Sequence, residues 1–340
     1  MSRCIELAKK GLGNTYPNPS VGCVIVYDYK IIAEGFTSPY GGNHAEVNAI
    51  NSVENKKLLA KATIYVTLEP CSHFGKTPPC SDLIIKHNIP EVYIGCKDDN
   101  ELVAGKGIEK LQQAGCTVEV GVLEQQCKNQ HRRFFTFQNK KRPYIILKWA
   151  ETKDGFIAPS EKYRKEKKPV WITNEKSRQL VHKWRTQEQA ILVGTNTVLA
   201  DNPSLTARDW EGNSPVRIVI DKILKISEDY SIYSNQTKTI IFTELEASNR
   251  DTIFFETIDF SKPIVEQICS VLHTHQVVSV IIEGGAKTLQ TFIDNNLWDE
   301  ARIFVGTPAF NEGVKAPLLN KKATSEETVL QDKLYFYFND

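Results

Sequence analysis

No apolar run in this 340-residue sequence approaches the roughly 20 residues that a membrane-crossing helix needs, so no transmembrane segment is expected. The first residues, MSRCIELAKKGLG, mix charged and apolar positions at helical spacing. They lack the unbroken apolar core and small-residue cleavage site of a secretory leader, so the expected location is cytoplasmic. Neither charge sign is in excess. With 42 Lys and Arg against 41 Asp and Glu the formal net charge is +1, which gives no long-range attraction to nucleic acid or to an anionic membrane. Internal repeats and low-complexity tracts are also absent, which excludes solenoids and arrays. The expected partners are small molecules.

What is present reads as two α/β domains. The length exceeds what one hydrophobic core usually serves. In the first half, strand-like runs (VGCVIVYD, ATIYVTLEP, EVYIGC, TVEVG) alternate with helical stretches: one opened by His44, one after Cys80, and GKGIEKLQQAG closed by Gly115. The basic, proline-containing segment QHRRFFTFQNKKRP reads as a boundary, giving domains 1–141 and 142–340. Beyond it come strands at YIILKWA, AILVG, VRIVID, TIIFT, VVSVIIEGG, ARIFVG and KLYFYF, with helices beginning near Asn174 and Lys287. The charged stretch SEKYRKEKK reads as a solvated loop. Eight cysteines in a cytosolic chain point to thiols and metal ligation, with Cys4, Cys23, Cys96 and Cys269 as buried packing residues.

The strongest pattern is His44-Ala45-Glu46 followed by Pro70-Cys71 and then Cys80. One imidazole and two thiolates supply the three protein ligands of a catalytic zinc and leave a position for water, which such a zinc acidifies. His44, Cys71 and Cys80 are the expected ligands, and Glu46 is the expected proton carrier between the water and the departing amine. A closed structural site would need a fourth ligand. His73 is the only nearby candidate, and it fits a substrate or loop role better.

TYPNPSVGCVIV, GGNHAEVNAI and TLEPCSHFGKTPPC resemble the deaminase domain of the bifunctional deaminase/reductase of riboflavin biosynthesis. The insert SHFGKTPP between the two cysteines replaces the two-residue spacer usual in other zinc deaminases. From residue 142 onward, LKWAETKDGFIA, WITNEKSRQLVHKWR, AILVGTNTVLADNPSLTAR and IIEGGAKTLQTFIDNNLWDEARIFVG resemble the family's reductase domain. The resemblance implies a cytidine-deaminase-like N-terminal domain and a dihydrofolate-reductase-like C-terminal domain. It also implies zinc and NADPH as cofactors, a phosphorylated pyrimidine substrate and a homo-oligomer. By the same resemblance Asn18 is placed near the pyrimidine; Arg185, Leu205, Arg208 and Glu283 contact substrate; and Lys148 lies in the reductase active site. Ala150, Trp171, Thr197 and Asp201 would contact NADPH, along with the run Gly285, Ala286, Lys287, Thr288, Leu289, Gln290 and Thr291.

Each residue also has a reading of its own. The Gly-Gly turn running into a helix at 284–291 lets backbone N–H groups approach an anion, although glycine pairs also simply make turns. Arginine forks suit phosphate, and equally serve surface ion pairs. Asn18 sits between two prolines and suits a turn; Trp171 suits a cofactor ring or a core. Lys148, inside an apolar strand, needs a partner or solvent for its ammonium. Lys148, Asp201 and Glu283 are expected to converge at one mouth of the sheet. Two positions depart from the family pattern: Thr152-Lys153 stands for serine-leucine, and Pro169 stands where serine is frequent, so no side-chain contact is carried onto Pro169. Nucleic-acid editing, or a C-terminal half that only binds, would be the competing functions. The first would require a basic groove with interleaved aromatics.

Overall fold

Among the described residues, short apolar runs rich in Val and Ile pair into two large sheets, and residues 313–315 pair with 156–159 in a small two-stranded one. The computed structural model describes residues 1–74, 78–99, 104–164 and 168–339, and it divides into units Met1–Lys141 and Arg142–Asp340.

The first unit runs α1 (Ser2–Lys10), β1 (Gly22–Tyr27), β2 (Lys30–Phe36), α2 (Ala45–Ser52), β3 (Thr63–Leu68), α3 (Cys80–Lys86), β4 (Glu91–Cys96), α4 (Lys106–Gln113), β5 (Thr117–Val120) and α5 (Glu124–Lys140). Its sheet has the order β2-β1-β3-β4-β5. The β1 contacts with β2 and β3 are antiparallel, and the β3–β4 and β4–β5 contacts are parallel. Strand alternation divides the apolar side chains between faces. Cys23 and Ile25 join the main core with Ala45, Ala49, Ile64 and Val66, while Val24 packs with Cys4 and Leu7 of α1.

The segment expected to be a domain boundary is a helix for most of its length. α5 continues to Lys140 and buries Cys127, His131, Phe135 and Phe137, and the left-handed backbone of Lys141 (φ 51°) ends it. The buried residues recur at helical spacing among many Lys, Arg, Asn and Gln, so a reading of composition alone saw only a basic tract.

The second unit runs β6 (Tyr144–Thr152), β7 (Phe156–Pro159), α6 (Glu175–Gln187), β8 (Ala190–Gly194), α7 (Thr195–Asp201), β9 (Val216–Ile220), β10 (Thr239–Thr243), β11 (Ile253–Thr257), α8 (Ile264–Thr274), β12 (Ser279–Ile282), α9 (Ala286–Asp294), β13 (Glu300–Gly306), β14 (Gly313–Lys315), β15 (Ser325–Val329) and β16 (Asp332–Phe338). Among the described residues nine strands form the order β11-β10-β9-β8-β12-β6-β13-β16-β15. The contacts from β11 through β13 are parallel, and β16 and β15 add antiparallel at one edge. Both faces of the parallel part are covered by apolar clusters, which is why its strands read as continuous hydrophobic runs. β12 enters late, between β8 and β6. The carboxyl ends of β6, β8 and β12 therefore lie side by side where the winding reverses, the place where open α/β sheets collect ligands.

Asn174 caps α6, its Oδ1 accepting the Ser177 N–H at 3.0 Å, close to the expected start. α7 and α8 were not foreseen. The sequence reading assigns no element to the polar stretch of α7 or the apolar one of α8. In the charged loop Glu161, Lys162, Tyr163 and Lys168 are exposed as expected, and Arg164 departs from that. Residues 165–167 lie outside the described residues, but Arg164 is tethered rather than solvated: its side chain is 16% exposed and pairs with Asp201, with further bonds to the carbonyls of Lys168 and Ala200. Among the described residues no helix is long and apolar enough to cross a membrane. All eight cysteines are free thiols, and Cys4, Cys23, Cys96 and Cys269 are buried as expected.

Candidate active sites

In the first unit the site hangs on two helix starts. Gly35 of β2 has no room for a side chain: a Cβ there would lie 2.4 Å from the carbonyl oxygen of Ala45 and 2.5 Å from the amide of Ala49. Glycine on the strand and alanines on the helix thus let α2 settle directly on the sheet. His44 precedes that helix in extended backbone, and Glu46 lies in its first turn, 4% exposed. β3 leads through Glu69-Pro70 to Cys71, and Cys80 opens α3.

These elements bring His44, Cys71 and Cys80 together, with one ligand atom from each inside a 4.8 Å span; no fourth such group joins them among the described residues. Nδ1 of His44 is 3.6 Å from Cys71 Sγ and 3.4 Å from Cys80 Sγ. A tetrahedral zinc with ordinary Zn–N and Zn–S bonds would hold N and S about 3.6 Å apart. The donor set and its spacing therefore fit zinc, with Nδ1 as the His44 ligand atom. His73 is exposed and outside the trio. The Cys80 hydrogen bond, and then His44 against the opposing effect of burial, hold the Cys71 thiol down, while the Cys71 contact and then burial push Cys80 up. Burial, then the Cys71 thiolate, push the Glu46 carboxyl up to about 7. Asn18 lies in a turn pinned by Thr15, whose carbonyl accepts the Asn18 N–H and whose hydroxyl donates to the Asn18 carbonyl.

Glu69 escaped the sequence reading except as a letter of the Glu-Pro-Cys motif. Its carboxylate is 5% exposed and accepts four backbone N–H groups, from Asp98 (3.3 Å), Gly105 (3.0 Å), Gly107 (3.0 Å) and Ile108 (3.4 Å). It thereby ties the strand end that carries Cys71 to the start of α4. The Gly-x-Gly at 105–107, opening a helix, was the available signal for an anion at that spot.

In the second unit the register Leu147↔Ile282 sets Lys148 of β6 beside Glu283 at the end of β12. Strand alternation points both toward the face covered by α6, along with Ile146 and Ile281. Arg185 of α6 meets Glu283 in a two-pronged pair, Nη2 to Oε2 at 2.7 Å and Nε to Oε1 at 3.4 Å. Against the opposing effect of burial, Arg185 and then Lys148 hold the Glu283 carboxyl down at about 2. Burial lowers the Lys148 ammonium, Arg185 adds to that, and Glu283 opposes it. Lys148, Glu283 and Arg185 thus form one cluster. Asp201, expected to join it, instead pairs with Arg164, which holds it at the end of α7.

The turn after β12 is a tight cradle. A Cβ on Gly284 would lie 2.7 Å from Val193 Cα, one on Gly285 (φ 64°) 3.1 Å from Thr197 Oγ1, and one on Gly194 2.6 Å from Thr288 Oγ1. Only glycines permit this meeting of the β8 and β12 ends, and the cradle opens onto the N-terminus of α9. It fits the phosphates of a dinucleotide, with Thr197, Gly285, Ala286, Lys287 and Thr288 at hand. The rest of the expected run is committed elsewhere. Leu289 is fully buried in the core, Gln290 bonds Asp294 and Leu318, and the Thr291 hydroxyl donates to the Lys287 carbonyl. Ala150 packs at the margin of the core on β6. Trp171 is not a core residue: it is 58% exposed and its ring lies 4.7 Å from the Arg178 guanidinium. Leu205 is buried at 2% exposure and carries a left-handed φ of 56°, while Arg208 is exposed, bonding Ser204 and Thr206. His182 of α6, which the sequence reading did not single out, sits behind Arg208, its Nδ1 accepting the Arg208 N–H at 3.1 Å.

Comparison with known proteins covers both units. Residues 1–96 match the cytidine and deoxycytidylate deaminase zinc-binding region, and residues 143–315 match the RibD C-terminal domain. The solved diaminohydroxyphosphoribosylaminopyrimidine deaminase/5-amino-6-(5-phosphoribosylamino)uracil reductase from Thermotoga maritima is 41% identical, with a TM-score of 0.90 over 99% of this chain and 96% of that one. RibD from Acinetobacter baumannii is 30% identical, with a TM-score of 0.87 over 99% and 97%. The riboflavin biosynthesis protein RibD of Aquifex aeolicus is 36% identical over 98% of this chain and 93% of its own. The fold is accordingly cytidine-deaminase-like followed by dihydrofolate-reductase-like. Likeness of this order along nearly the whole length places a zinc deaminase and an NADPH reductase on one polypeptide, and the chain belongs to the RibD family of bifunctional deaminase/reductases of riboflavin biosynthesis.

Proposed function

We propose that residues 1–141 deaminate 2,5-diamino-6-ribosylamino-4(3H)-pyrimidinone 5′-phosphate and that residues 142–340 reduce the ribosyl chain of the resulting 5-amino-6-(5-phosphoribosylamino)uracil to ribityl. The observation that carries the first half is the trio His44, Cys71 and Cys80, drawn to zinc-ligand spacing with the buried Glu46 beside it. Zinc, when bound by these three, supplies the Lewis acid that makes water nucleophilic near neutral pH. Glu46 takes the proton from the attacking water and returns one to the departing amine, and burial keeps bulk solvent from competing for it. Asn18 contacts the pyrimidine.

In the second half the glycine cradle with Ala150, Trp171, Thr197 and Asp201 would hold NADPH, which would supply the hydride. Arg208 addresses the substrate phosphate with its planar fork, and Arg185, paired with Glu283, shapes the substrate site with Glu283 and Leu205. Lys148 holds a proton at Nζ for the ribose oxygen that opens, and Glu283 steadies that ammonium. The protein acts in the cytoplasm on small phosphorylated pyrimidines, not on nucleic acid or at a membrane, and as a homo-oligomer whose order light scattering would read.

Glu46→Gln tests the first half. The amide keeps the size of the side chain but cannot shuttle protons. Zinc content by metal analysis should stay near one per chain while deamination falls by roughly 10² to 10⁴. Near-parental turnover would remove Glu46 from the reaction.

A further inference from the structure

The loop that presents Arg208 belongs to no helix or strand: residues 202–208 follow α7 without regular structure. With no ladder of backbone hydrogen bonds, its shape depends on individual side chains. α6 supplies two. Arg185 donates from Nη1 to the Thr206 carbonyl at 3.1 Å, and His182, one turn earlier, accepts the Arg208 N–H at Nδ1. His182 is 5% exposed, and its Nε2 lies 3.2 Å from Asp209 Oδ2. Both ring nitrogens are therefore spent on consecutive residues, Arg208 at the end of the loop and Asp209 after it. Because Nδ1 accepts, the ring proton sits on Nε2, facing the Asp209 carboxylate.

We infer that His182 is a positioning residue for phosphate recognition in the reductase half: its Nδ1 fixes the backbone of Arg208, and so the direction in which that exposed guanidinium meets the substrate phosphate. This rests on the reading above that Arg208 addresses the phosphate. Among the described residues the guanidinium bonds the neutral hydroxyls of Ser204 and Thr206, and no carboxylate is paired with it, which suits it to an anion. Arg185 of α6 is already paired with Glu283, which makes Arg208 the better placed of the two cations to meet an anion and its aim the quantity worth fixing. Burial, then Arg185, hold the imidazole below its usual range, with Arg208 adding to this and Asp209 and Glu283 opposing it. The ring thus stays neutral near pH 7, as an acceptor at Nδ1 requires.

Two near-isosteric variants separate positioning from bulk. In His182→Asn the amide oxygen can take the place of Nδ1, whereas in His182→Gln the amide reaches toward the Nε2 position and leaves the Arg208 N–H without its acceptor. Steady-state reduction at saturating NADPH should be measured with the phosphorylated aminouracil and with the same compound after phosphatase treatment, alongside Arg208→Ala. The expected result for His182→Gln is a KM for the phosphorylated substrate raised by about tenfold, kcat within a few-fold of the parent, and no change for the dephosphorylated compound. His182→Asn should restore the parental KM, and Arg208→Ala should lose phosphate preference as well. If Arg208→Ala loses that preference while His182→Gln keeps it, the role of His182 falls and the phosphate reading stands. If Arg208→Ala keeps it, both fall. Equal losses in the two His182 variants, or losses shared by both substrates, would reduce His182 to a packing residue.

Discussion

In the N-terminal unit the reactive atoms come from residues 44 to 80 and hang on the starts of two helices; in the C-terminal unit they come from residues 148 to 288 and hang on the ends of three strands and on α6. The first arrangement uses residue types that are scarce and chemically committed, one histidine and two thiols, so few alternatives explain their spacing. The second uses Lys, Arg, Glu and Gly, which every protein scatters widely, and it acquires meaning only when β12 slips between β8 and β6 and brings distant stretches into register. A metal site can be built on local geometry because the ion itself enforces the final distances. A site for an extended cofactor and a flexible phosphorylated substrate has no such centre, so it relies on the sheet as its template.

The contrast sharpens at Lys148. Removing it should be the most damaging single change to the reductase half, since a positioned proton donor contributes roughly 10² to 10⁴ in rate. Lys148→Ala is expected to slow single-turnover reduction by that order at saturating NADPH, with deamination unchanged. A rate within a few-fold of the parent would leave Lys148 a strand residue whose charge merely balances Glu283.

Much of the first site was legible before any coordinates, because His-Ala-Glu and the two cysteines announce ligands by type. Glu69 was not. Its role depends on four amides from a connection some thirty residues downstream, and nothing at Glu69 itself distinguishes a buried amide acceptor from a solvated carboxylate. In the fold, the strongly apolar parallel strands were plain, whereas α5 was hidden by its Lys, Arg and Gln content and α7 by its polar start. In the reductase the residues meeting at the sheet mouth came from resemblance, and the structure redistributed them. Asp201 went to Arg164, a partner in a loop expected to be solvated, and His182 emerged as the support behind Arg208.

Glu69→Gln should have the next largest effect, and in the other unit. The amide oxygen can still accept, but its NH2 group opposes backbone donors and leaves buried N–H groups unpaired, at a cost of about 1 to 3 kcal/mol. Thermal unfolding of the N-terminal unit should shift down, and zinc retention during dialysis should weaken. An unchanged melting profile would mean that water or neighbouring groups satisfy those amides.

Smaller still is the expected effect of Arg164→Ala. The pair with Asp201 is only partly shielded, and freeing Asp201 changes how it stands toward the cofactor rather than removing it. KM for NADPH should change several-fold, a shift of about 1 kcal/mol, with kcat nearly constant. A change in kcat with KM fixed would place Arg164 nearer to the chemistry than to the cofactor.

The central claim is that two chemistries occupy separate constellations in one chain, and metal removal tests it most directly. Zinc should be stripped with a chelator, and the two half-reactions assayed side by side: ammonia release from the diaminopyrimidine, and NADPH oxidation dependent on supplied deaminated substrate. The account predicts that deamination vanishes and returns when zinc is restored, because His44, Cys71 and Cys80 all lie before Lys141, while NADPH oxidation continues at the parental rate. Parallel loss of both activities from protein that remains folded, or deamination that persists without metal, would contradict it.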